Sequence, residues 1–198
     1  MYKSIFDFFS AIIGLFLLSP FFLLFSILIK CDSDGPVFYR QVRVGRLGST
    51  FRIHKFRTMF INSDHCSLLT VGDDNRVTKT GKFLRKYKLD ELPQLIDVLL
   101  GNMSLVGPRP EVQEFIDLYP SHVKLKVLSV KPGITDLASI EMVDENLIIS
   151  KYPDPREAYI NHILPIKQRY YIDYVENHNI VFDIKIIFLT LYKILARN

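Results

Sequence analysis

A chain of 198 residues, 48% of them hydrophobic and with a mean hydropathy of +0.16, can bury one good core, yet it is greasier than a soluble domain needs. A net charge of +4 and a pI near 9.0 favour an anionic partner: a phosphorylated substrate, acidic lipid headgroups or nucleic acid. The two cysteines, Cys31 and Cys66, exclude a disulfide framework and have no metal-ligand spacing with the histidines, so a reducing compartment is expected.

The N-terminus reads as a membrane segment. Residues 8–29 carry no charge, a run of 22 residues that as a straight helix reaches across a bilayer core of about 30 Å. The run is too long for a cleaved signal peptide, and no small-residue cleavage site follows it. Pro20 cannot donate to the carbonyl of Phe16, and its ring clashes there, which predicts a kink or break. Ser19 beside it can bond a freed carbonyl, which makes the break tolerable in hydrocarbon. Arg40, Arg43, Arg46, Arg52, Lys55 and Arg57 crowd the downstream side and mark it as cytoplasmic. A simple span would export Lys3, whereas a helix that bends at Ser19-Pro20 and leaves by the same face would not. On these residues a kinked full span stays open beside the re-entrant one. Asp7, at the membrane boundary, is expected to pair with a base or to lie at the headgroup level.

Beyond a turn at residues 33–36, short strands at residues 37–39 and 50–53 are joined through a basic, glycine-containing hairpin. Its arginines suit phosphate or an anionic leaflet. Lys55, Arg57 and Thr58 follow, two cations and a hydroxyl that suit a diphosphate or else a solvated strand end. Residues 62–80 are polar and turn-like; Asp73, Asp74 and Arg76 read most simply as a surface loop, the alternative being a metal site, which would need further converging oxygens. A short amphipathic helix opens near Thr80.

The central stretch, residues 85–111, reads as a short helix with unusual chemistry at both ends. Asp90 suits an N-cap, Pro93 is tolerable only in the first turn, and Gly101 is a natural stop. Asp90 and Glu91 then lie at the positive end of a helix dipole with Arg85, Lys86 and Lys88 upstream, where phosphate binds and a carboxylate stays ionised. The same residues also fit a plain cap with a solvated neighbour. The rigid Gly107-Pro108-Arg109-Pro110 fixes a guanidinium suited to bidentate phosphate recognition. A modest helix over 111–119 and a turn at 130–135 carrying Lys131 come next. Residues 163–175 look helical, and 180–195 form a strongly apolar helix suited either to the core or, by its scarcity of polar residues, to the membrane interface.

Taken together, these motifs resemble the bacterial sugar transferases of the small monotopic phosphoglycosyl transferase type. The resemblance is carried, in order, by Lys3 with Phe6-Asp7, Ser19-Pro20, Gly35-Pro36-Val37-Phe38 with Gln41, Arg43 and Gly45, and Lys55-Phe56-Arg57-Thr58-Met59. It continues through Leu89-Asp90-Glu91-Leu92-Pro93-Gln94-Leu95, Met103-Ser104-Leu105-Val106-Gly107-Pro108-Arg109-Pro110 and Lys131-Pro132-Gly133-Ile134-Thr135. The family resemblance implies a mostly helical α+β enzyme on the cytoplasmic face of the bacterial inner membrane. It would have a re-entrant helix over residues 1–30, a small hairpin, a catalytic domain over 31–198 and an interfacial C-terminal helix.

The implied reaction moves a sugar-1-phosphate from a UDP-sugar to polyprenol (undecaprenyl) phosphate and releases UMP, the first membrane step of glycoconjugate synthesis. By the same resemblance Asp90 is the nucleophile, forming an aspartyl phosphosugar. Glu91 assists with the acceptor or with Mg2+, and Arg85, Arg109, Lys55, Arg57 and Lys131 are phosphate- or nucleotide-binding candidates. Asp136 and Ser139 replace a glycine and a glutamine common in relatives, which puts the usual sugar preference in doubt. Two other readings are a UDP-sugar glycosyltransferase that releases UDP and a non-catalytic membrane scaffold; nucleic-acid binding by the basic hairpin is remote.

Overall fold

Helix α1 (Tyr2–Asp32) organises the molecule, because the same face of it is used along its whole length. The computed structural model describes residues 2–61, 74–142 and 145–196, so Cys66 and Asp73 lie outside the described residues. Asp7, Ala11, Leu15, Leu18, Phe22, Phe25 and Ile29 recur every three or four residues and face the protein. The other faces are bare hydrocarbon: Phe16 is 78% exposed and Leu23 66%. α1 is long and apolar enough to cross a membrane.

Helical backbone continues through Pro20 rather than dividing into two helices. The Ser19 hydroxyl donates to Phe16 O at 2.8 Å, the carbonyl that proline leaves without its usual donor. Both ends of α1 are tied to the folded domain. Near its start, Lys3 Nζ donates to Val106 O (3.1 Å), and Asp7 accepts from Ser104 Oγ (2.8 Å) and Leu105 N (3.2 Å). Near its end, Asp32 accepts from Thr80 N at 2.6 Å.

The hairpin pairs β1 (Phe38–Val44) with β2 (Thr50–Phe56) in antiparallel register, Phe38 opposite Phe56 and Val44 opposite Thr50. Both strands are longer than the sequence pattern implies, since the pairing runs unbroken from Phe38–Phe56 to Val44–Thr50. The chain then runs through α2 (Lys79–Lys86), a 3-10 turn at Leu89–Glu91, α3 (Gln94–Leu99) and β3 (Ser104–Val106). α4 (Gln113–Ile116) and α5 (Ser121–Val127) precede β4 (Gly133–Thr135), which pairs in parallel with β3. α6 (Leu137–Glu141), α7 (Glu145–Ile149) and α8 (Pro155–Ala158) lead through a π turn at Tyr159–Ile163 into α9 (Leu164–Asn177) and α10 (Ile180–Leu195). The result is a mostly helical α+β fold with small sheets.

Ala11, Ile53, Leu95, Val98 and Met103 form one core cluster, where α1, β2 and α3 meet. A second gathers α4, α5 and α9 around Phe115, Tyr159 and Tyr171. α10, predicted at the same residues, buries Ile186 and Asp183, while Val181, Leu195 and Tyr192 stay at least 69% exposed.

Candidate active site

Glu91 is the hub of the site. Arg109 grips both of its oxygens, Nη1 to Oε2 at 3.0 Å and Nη2 to Oε1, and Lys55 Nζ reaches Oε1 at 2.8 Å. Each group arrives from a different element. Lys55 lies on β2, which Asp97 holds against α3 by accepting from His54 N (2.7 Å) and contacting His54 Nδ1 (2.8 Å). Arg109 leaves the end of β3, where Gly107 and Gly133 bring two backbones together. A Cβ on Gly133 would lie 2.1 Å from Gly107 N, so no larger residue fits that crossing.

Asp90 is not the helix cap that the sequence suggests. It sits inside the 3-10 turn, entered through Lys88 in the left-handed region (φ 54), and α3 begins only after Pro93 with no side-chain cap. The proline sets that boundary, since it supplies no amide for a cap to bind. Asp90 accepts no hydrogen bond from a described residue, although Lys55, Arg85 and Arg109 all act on its charge. Arg85, on α2, donates from Nε to Thr58 Oγ1 at 2.8 Å, which aims it from the side of β2.

The electrostatics of the neighbouring carboxylates diverge. Burial and the Glu91 charge push the Asp90 carboxyl above the usual range, against the pull of Lys55, Arg85 and Arg109. Burial would raise Glu91 too, but Arg109 and Lys55 outweigh it and hold Glu91 well below the usual range. Arg109 is correspondingly raised by Glu91, whereas burial lowers Lys55 and Arg85. One carboxylate is thus locked as an anion within ion pairs. The other is half-buried, uncommitted and surrounded by positive charge.

Two cations predicted for the site make no contact with Asp90 or Glu91 that the structure records. Arg57 donates to the carbonyls of Ser33 (2.6 Å) and Asp34 in the turn that follows α1, and its Nη2 lies 3.5 Å from Ile29 O in the last turn of the helix, so it ties the exit of α1 to the end of β2. Lys131 approaches Gly101, past the far end of α3, with Nζ 3.7 Å from where a Cβ there would lie. Arg43 turns inward too, toward Gln41, Pro110 O and Glu111. Asp136 and Ser139 form a matched pair: the Asp136 carboxylate caps α6, accepting from Ser139 N (2.9 Å) and Oγ (2.6 Å).

Sequence reasoning missed Asp97, the clamp behind Lys55, and Asp183, a buried partner of Lys3 and Tyr174. An acidic residue inside an apolar helix was the one available sign of Asp183.

No group of three or more metal-ligating side chains occurs among the described residues. Both Glu91 oxygens are already committed to Arg109 and Lys55, which leaves Asp90 as the carboxylate able to touch a cation. Such a donor set fits Mg2+ only in the mode where substrate phosphates supply most of the oxygens.

Comparison with known proteins assigns the class. The sequence model of the family described as bacterial sugar transferase matches residues 1–197, and the chain belongs to that family. It is 37% identical over 193 residues to the UDP-N-acetylgalactosamine-undecaprenyl-phosphate N-acetylgalactosaminephosphotransferase of Aeromonas hydrophila, covering 96% of this chain and 43% of that protein. It is 38% identical over 197 residues to the UDP-glucose:undecaprenyl-phosphate glucose-1-phosphate transferase of Klebsiella pneumoniae, covering 98% of this chain and 40% of that one. The chain therefore spans less than half the length of these two relatives. It spans 83% of the exopolysaccharide production protein ExoY of Sinorhizobium fredii, at 36% identity over 205 residues and 96% of this chain.

Proposed function

We propose that this chain is a polyprenyl-phosphate phosphoglycosyl transferase, taking a sugar-1-phosphate from a UDP-sugar and releasing UMP. The observation that carries the proposal is the uncommitted Asp90 carboxylate among Lys55, Arg85 and Arg109. The names of the Aeromonas and Klebsiella relatives supply the substrate classes.

The chemistry needed is positioning and charge neutralisation rather than elaborate acid–base work. A carboxylate oxygen of Asp90 attacks the β-phosphorus, forming an O–P bond as the bond from that phosphorus to the bridging oxygen breaks. UMP leaves with that oxygen. An oxygen of polyprenol phosphate then attacks the same phosphorus, and the Asp90 carboxylate departs unchanged. Arg85 and Arg109 would neutralise the equatorial oxygens, and Glu91, paired with Arg109 and Lys55, would keep both in place. Mg2+, held by Asp90 and the diphosphate, would offset the donor's negative charge when bound.

Membrane placement follows from α1. Both of its ends are tied to one folded domain and one face packs on that domain along its length, while the outward faces are bare hydrocarbon, an arrangement that favours a helix entering and leaving by the same face. The basic residues after it favour the cytoplasmic face. In this reading residues 1–30 are the re-entrant anchor, 31–198 the catalytic domain and α10 an interfacial helix.

The test is to incubate detergent-solubilised protein with undecaprenyl phosphate and a panel of UDP-sugars and to assay the nucleotide. UMP with one sugar supports the proposal and names the donor. Release of UDP would point instead to an ordinary glycosyltransferase.

A further inference from the structure

A cavity of about 260 Å³ opens directly beside the Glu91–Arg109 ion pair, between the 3-10 turn, α3, β4, α6 and α10. Its walls are mainly hydrocarbon, with Leu92, Leu95, Leu105 and Ile134 on the domain side. α10 contributes Ile187, Leu191 and Ile194, residues spaced to lie on one helical stripe.

The polar side chains on these walls are already paired within the protein. Thr135 and Thr190 bond each other at 2.7 Å, and Thr190 also donates to Ile186 O at 2.8 Å. Ser139 donates to Asp136 at 2.6 Å, and Lys193 to Ile140 O at 2.8 Å. Lys88 also has a partner, and Glu91 and Arg109 hold each other. Each polar group on the walls thus already makes a bond and most of the lining is hydrocarbon, so a nucleotide or a sugar would bury most of its hydroxyls and ring nitrogens without partners, which is costly. A branched hydrocarbon would lose nothing, and the net positive charge beside the cavity would hold a phosphate at its head.

We infer that this cavity receives the first isoprene units of the lipid acceptor and thereby sets the acceptor phosphate against the site. The inference rests on the proposed transfer reaction and adds to it where the acceptor sits and what reads it. The donor is left to the polar side around Lys55 and Arg85. The volume is below the usual range for a whole small-molecule ligand, so it suits one end of a long chain whose remainder stays in the membrane. The exposed apolar surface of α10 carries that remainder from the cavity to the bilayer.

Two measurements test it. Prenyl phosphates of increasing length, each with the same UDP-sugar, should show kcat/KM rising roughly tenfold per added unit until the cavity is full, and then levelling. Leu191→Trp, at a half-exposed position, should fill the cavity. It should raise KM for the acceptor roughly tenfold while UMP released from the donor before acceptor is added stays near the wild-type amount. The thermal midpoint of the variant reports its folding, and the length series needs no variant at all. A flat length series, with UMP still released by the wild type, would overturn the inference and leave the transferase proposal standing. A rise in KM for the UDP-sugar instead of the acceptor would do the same. Rates that follow bulk phospholipid composition and ignore prenyl length would assign the cavity to a membrane acyl chain. Absence of any nucleotide release by the wild type would remove both proposals.

Discussion

Two buried charge clusters in this molecule differ in one respect that separates structure from chemistry. At the start of α1, Lys3, Asp7 and Asp183 form a closed network. Asp183 accepts from Lys3 and from Tyr174 Oη (2.8 Å), and Asp7 from Ser104 and Leu105. Every carboxylate oxygen there has its donor. Around Glu91 the network is open: Lys55, Arg85 and Arg109 face Asp90 and Glu91, and Asp90 accepts no hydrogen bond from a described residue. A satisfied cluster fixes the fold, whereas a carboxylate left without a described donor among cations is where chemistry is to be sought.

Substitutions can break or sharpen that contrast. The largest effect is expected from Asp90→Asn, which should cut turnover by about 10,000-fold or more with membrane association retained. Its thermal midpoint should hold or rise, because a carboxyl whose folded pKa is raised costs stability once pH climbs through the usual range toward that raised value. Calorimetry and a UMP assay on one preparation check both halves.

Glu91→Gln should do the opposite to stability. It strips a half-buried pair from Arg109 and Lys55 and should cost on the order of 3 kcal/mol in denaturant unfolding. Glu91 is held low, so its contribution is present above the usual glutamate range and is lost as pH falls through its depressed folded value. The melting curves of the wild type and of the Glu91→Gln variant should therefore converge toward acid.

Asp183→Ala, in the closed cluster, should lower stability by about 2 kcal/mol, because Lys3 loses its charge partner and Lys3 and Tyr174 are left to share Val106 O. Loss of activity should be no larger than unfolding explains. Smallest of all, Asp136→Ala should cost roughly 1 kcal/mol as α6 loses its cap, and Asp136→Asn should keep most of it.

Much of this arrangement was legible in the sequence where the cause is local. The hairpin, the bounds of α10, the stop at Gly101 (φ 81) and the bond from Ser19 to the Phe16 carbonyl all follow from neighbours in the chain. What escaped depends on distant partners. Arg57 resembles a phosphate ligand until the turn after α1 is seen to take its donors. Asp183 looks like a flaw in an apolar helix until Lys3, 180 residues away, arrives beside it. Asp90 failed as a cap because a left-handed Lys88 and the following Pro93 delay the helix. The Asp90–Glu91 pair itself was visible, but its division of labour was not, since only the fold brings Lys55 and Arg109 to one carboxylate and spares the other.

The most direct test is the mass of the enzyme after incubation with its UDP-sugar and no acceptor, followed by digestion to peptides. The account predicts a sugar-phosphate increment on the peptide carrying Asp90, removed on adding polyprenol phosphate and missing from Asp90→Asn. An increment on any other side chain, or turnover with no covalent adduct at all, would contradict it.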